Sequence, residues 1–95
     1  MEELLQMLGS LIERIEKRQP QAETKEWYLL NNLLRFKEVS ESARSQRDFE
    51  NAIYVLSRFN IDSMDWDDPL FKETTAVTER ARYVKISGVL PQRGE

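Results

Sequence analysis

The chain has 95 residues, a net charge of −3, and neither cysteine nor histidine. Those two absences rule out a disulfide framework, a thiolate nucleophile, a Cys/His zinc site and a Ser-His-Asp triad. The size suits one domain with one core. A third of the residues are charged with both signs interspersed, which disfavours a general nucleic-acid binder and the disordered regime alike.

No apolar run approaches the ~20 residues of a membrane span. Glu2 and Glu3 precede Leu4 and Leu5, which is not the basic-then-apolar order of a signal peptide. A cytoplasmic address is the expectation, with no membrane, no nucleic acid and no cofactor.

From Glu2 to about Arg18, the residues Leu4, Leu5, Leu8, Leu11, Ile12 and Ile15 recur at steps of three and four. That spacing predicts an amphipathic helix, with acids at its positive end and Lys17 and Arg18 at its negative end. Gly9 weakens it by roughly 1 kcal/mol relative to alanine unless another backbone packs close.

Gln19-Pro20 predicts a break, with proline opening a second helix from Pro20 to about Arg44. Its apolar residues (Trp27, Tyr28, Leu29, Leu30, Leu33, Leu34, Phe36 and Val39) spread widely round the cylinder. Such breadth fits a central helix. The alternative is a homo-oligomer seam, for which Trp27, Tyr28, Leu34 and Val39 are the candidates.

Ser40 to Gln46 reads as a short polar connection, making the second and third helices an antiparallel pair. Ser45 or Asp48 is the expected cap of the third helix. Phe49, Ala52, Ile53, Leu56 and Phe59 give its apolar face, and Asn60 its expected stop.

Asn60 to Pro69 interrupts the helical pattern with an acidic loop. It places Asp62, Asp65, Asp67 and Asp68 round Trp66. Trp supplies contact area and carboxylates a directional field, so Asp62, Asp65, Trp66 and Asp67 are the candidate partner-binding residues. A second expectation has Trp27 or Trp66 closing an end of the core.

Asp62-Ser63-Met64 resembles the Asp-Ser-Leu attachment site of acyl carrier proteins, which are also small, acidic and four-helical. That resemblance implies a phosphopantetheine arm on Ser63. It covers three residues, and Asp68-Pro69 departs from the recognition helix the family places there.

A helix–loop–helix calcium site counted from Asp62 finds Glu73 twelfth, but Met64, Trp66 and Asp67 occupy the third, fifth and sixth positions. This is not a calcium-loop pattern. No metal ligand set and no catalytic residue are assigned.

Asp68-Pro69 also reads as the cap and first position of a fourth helix, with Leu70, Thr74, Val77, Ala81 and Val84 on one face. Tyr83 to Ile86 alternates as a short strand would. Gly88 is the expected cap, and 89–95 a flexible tail after a single 1–88 domain.

The fold expected is an all-α bundle of four helices, centred on the leucines of the first. The function expected is a non-enzymatic protein-binding module of the inhibitor, immunity or regulator type. The alternatives are a structural homo-oligomer and a sensor of small anionic ligands. A phosphate site for that sensor would use Arg14, Lys17 and Arg18 with Arg80, Arg82 and Lys85, provided the two helix ends meet.

Overall fold

The computed structural model describes residues 1–86, and those residues form an all-α bundle of four helices. The expected Gly88 cap and 89–95 tail lie outside the described residues. In chain order the helices are α1 (Glu2–Lys17), α2 (Lys25–Ser42), α3 (Gln46–Ser63) and α4 (Pro69–Ala81). Each packs on its neighbour in sequence, and α1 packs on α4 to close the ring.

Cross-links fix the directions. Glu3 pairs with Arg80 and Arg14 with Glu73, so α1 and α4 run antiparallel. Arg18 meets Glu26 at 3.0 Å, and Lys25 meets Asp65 at 3.7 Å. The end of α1, the start of α2, the end of α3 and the start of α4 therefore share one end of the bundle. The link 43–45 and the segment after α4 share the other.

The core follows the three-four spacings. Leu4, Leu8, Leu11, Ile12 and Ile15 of α1 are buried, as are Leu29, Leu33 and Phe36 of α2. Phe49, Ile53 and Leu56 of α3 join Leu70, Val77 and Ala81 of α4 to complete it. Phe36 and Phe49 stack with ring centroids 6.0 Å apart and tie α2 to α3, while Phe59 and Phe71 are only partly buried against the cluster. A methyl group at Gly9 would meet nothing within 4 Å. Gly9→Ala is therefore expected to stabilise the domain by about 0.5–1 kcal/mol. A thermal midpoint that falls would reveal a close approach at that position.

Four boundaries differ from the sequence expectation. The second helix starts at Lys25 rather than Pro20, because Thr24 is its cap and accepts a hydrogen bond from the Trp27 amide. Between the helices Gln19 and Glu23 take positive φ angles of 50° and 67°, turning the chain without glycine. Ser40 belongs to α2 and is buried, so the connection narrows to 43–45. The start of α3 is as expected, with Ser45 capping it by accepting from the Asp48 amide.

Asn60 does not stop α3, which continues to Ser63. Asn60 extends the buried row Phe49, Ile53, Leu56, and its Nδ2 donates to the Phe71 carbonyl at 3.3 Å and to Thr75 Oγ1 at 3.1 Å. An anchored side chain on the core row favours continuation over termination.

The fourth helix ends at Ala81, and the described residues contain no strand at Tyr83 to Ile86. The Gln46 amide grips that segment instead, donating to the Val84 carbonyl at 3.4 Å and accepting from the Ile86 amide at 2.8 Å. No helix among the described residues is long and apolar enough to cross a membrane.

Candidate protein-binding surface

The acidic segment is shorter in the structure than in the sequence, spanning 64–68 between α3 and α4. Its two ends are pinned. Met64 is buried at one end and Leu70 just beyond the other. Asp68 Oδ1 accepts from the Leu70 amide at 2.8 Å, as a helix cap should. The Asp68 amide donates to the Asp65 carbonyl at 3.0 Å, closing a turn with Trp66 and Asp67 at its two central positions.

That geometry explains where Trp66 goes. A central turn residue points away from the chain ends, and Trp66 is 80% exposed. It does not close an end of the core. Trp27, by contrast, is half-buried with its ring edge-on to Tyr28 at 5.0 Å.

The four aspartates have separate situations. Asp62 sits on the last turn of α3 and pairs with Arg58 at 3.5 Å, four residues back on the same helix. Asp65 reaches Lys25 at 3.7 Å, Asp68 is committed to its cap, and Asp67 is exposed with no ion pair among the described residues. Asp65, Trp66 and Asp67 thus lie together on one tip, with Lys72 beside them. Asp62 stands behind the tip. No group of three or more acidic side chains among the described residues is arranged to hold a metal ion.

The candidate seam on α2 is not one face. At about 100° per residue, Tyr28 and Val39 share the side next to α3, while Trp27 and Leu34 lie about 120° round the helix. Val39 lines a groove between α2 and α3 with a volume of about 500 Å³, and Tyr28 and Leu34 are exposed. Sequence reasoning did not find this groove, because it arises where two helices part. Its only advance signal was Val39 and Val55 standing off the core rows.

The two basic clusters do not converge. Arg14, Lys17 and Arg18 end α1, whereas Arg80, Arg82 and Lys85 lie at the other end of the antiparallel α4. Arg14, Arg18 and Arg80 are also paired with Glu73, Glu26 and Glu3. One phosphate site built from both clusters does not form.

Ser63 is the last residue of α3, and a proline-opened helix begins only at Pro69. A carrier-type attachment serine would instead open its helix, so the local geometry here differs from the acyl carrier arrangement. The family models, the curated proteins and the solved structures searched give no match to this chain.

Proposed function

We propose that the chain is a small non-enzymatic protein-binding module that acts by covering a surface of its partner, with Trp66 as the anchor. One observation carries this: an indole 80% exposed on a turn whose ends are both held by buried residues. Leaving a tryptophan in water costs the hydrophobic gain of burial, and a pinned turn loses little entropy when it docks. Asp65 and Asp67 on the same tip favour a partner with basic groups round an apolar depression. The inhibitor or immunity type of action fits a compact helical bundle that presents an exposed indole between two carboxylates.

Trp66→Ala and Asp67→Lys are each expected to weaken partner binding by about 1–3 kcal/mol. Tyr83→Ala serves as the control, since Tyr83 is 79% exposed but lies beyond α4 at the other end of the bundle. The measurement is affinity capture from the native host with wild type and each variant in parallel, followed by titration of the captured protein. Equal capture by wild type and Trp66→Ala would remove the tip from consideration.

A further inference from the structure

The groove between α2 and α3 is a second uncovered surface, distinct from the tip. Val39, Ala52 and Val55 line it, and Val55 is 53% exposed. Arg35 and Arg44 stand in its walls, and neither has a carboxylate at ion-pair distance among the described residues. Asp48 lines it too, one carboxylate against two guanidinium groups. The groove is therefore concave, apolar and net positive.

The tip answers it with an exposed indole flanked by two carboxylates, Asp65 and Asp67, of which Asp67 has no ion pair among the described residues. We propose that the Asp65-Trp66-Asp67 turn of one copy of this chain docks into the α2–α3 groove of the next, with Asp65 and Asp67 facing Arg35 and Arg44. A buried indole N–H needs an acceptor, and the Asp48 carboxylate supplies one inside the groove. The tip lies at the α3–α4 link, whereas Arg44 and Asp48 lie at the opposite end of α3, so a molecule does not fill its own groove. The contact joins two different surfaces, and repeating it extends a chain of molecules rather than closing a pair. This inference rests on the reading of Trp66 as a docking residue and names a partner for it.

The test is sedimentation equilibrium on the full chain at concentrations up to about 1 mM, a range that reveals weak contacts. Wild type is expected to gain mass steadily with concentration. Trp66→Ala, and separately the double variant Arg35→Glu/Arg44→Glu, should weaken association by about tenfold or more. Mixed in equal amounts, the two variants should form a dimer and nothing larger, because one supplies only a groove and the other only a tip. Val55→Glu provides a second groove variant, and helical circular dichroism confirms that each variant is folded.

A wild type that stays monomeric, a plateau at a closed dimer, or a variant mixture that stays monomeric would overturn the proposal. If wild type is monomeric while Trp66→Ala still abolishes capture of a host protein, self-docking fails and the Trp66 surface stands. If Trp66→Ala alters neither, both fail.

Discussion

Phe49→Ala is expected to remove about 3–5 kcal/mol of stability, a large part of the roughly 5–15 kcal/mol typical of a domain. Phe49 has no exposed surface, and its ring stacks on Phe36 at an interplanar angle of 27°. The side chain lies where α2 and α3 meet, so truncation leaves a void that neither helix can fill without moving the other. Urea unfolding should show the midpoint falling by roughly 2 M with the slope unchanged. Phe59→Ala should cost distinctly less, because Phe59 is only partly buried. A loss below about 1 kcal/mol at Phe49 would mean that the aromatic pair is not where the two helices are fastened.

Asn60→Asp is expected to cost on the order of 3 kcal/mol at neutral pH, although it changes one amide to a carboxyl. Asn60 is 2% exposed, and its amide nitrogen faces the Phe71 carbonyl and Thr75 Oγ1. A carboxylate there would lose its hydration and point lone pairs at a carbonyl oxygen. Burial would raise the pKa of the new acid above the ordinary aspartate range, since the charged form is the one penalised. The penalty is then absent below the unfolded-state pKa, where both states hold the proton. It grows as pH rises and is complete above the folded-state value. Urea midpoints of parent and variant should converge as the pH is lowered from 7 to 4. A gap between them that ignores pH would place this position in water.

These two residues also mark how far the sequence could be read. Leu4, Leu8, Leu11 and Ile15 declare their helix because burial on one side of a rod imposes a period of 3.6. Phe49 belongs to the same kind of row. Asn60 belongs to that row as well, yet a polar residue tolerant of turns reads as a stop when its partners lie in another helix. Phe71 and Thr75 supply those partners only once α4 folds back. Likewise, Pro20 looked like a helix start because proline suits a first turn. Thr24 took that role after two non-glycine residues adopted left-handed angles, for which the sequence carries no marker.

The tip was legible in part. Its composition was visible, but the division of labour among its aspartates was not. Asp62 faces Arg58 because α3 runs on, and Asp68 is occupied by a backbone amide. That leaves Asp65 and Asp67 beside Trp66. The α2–α3 groove was signalled only by Val39 and Val55 off the core rows, since a space between helices depends on their separation rather than on either one's pattern.

The order in which the helices neighbour one another bears on how the chain finds its shape. Among the described residues, three of the four helix interfaces join segments that follow directly in sequence, so each can zip from a nearby link at small entropic cost. Among the described residues the seam of α1 with α4 is the helix interface that joins the two ends of the bundle's chain order, so its closure carries the largest loop-entropy cost.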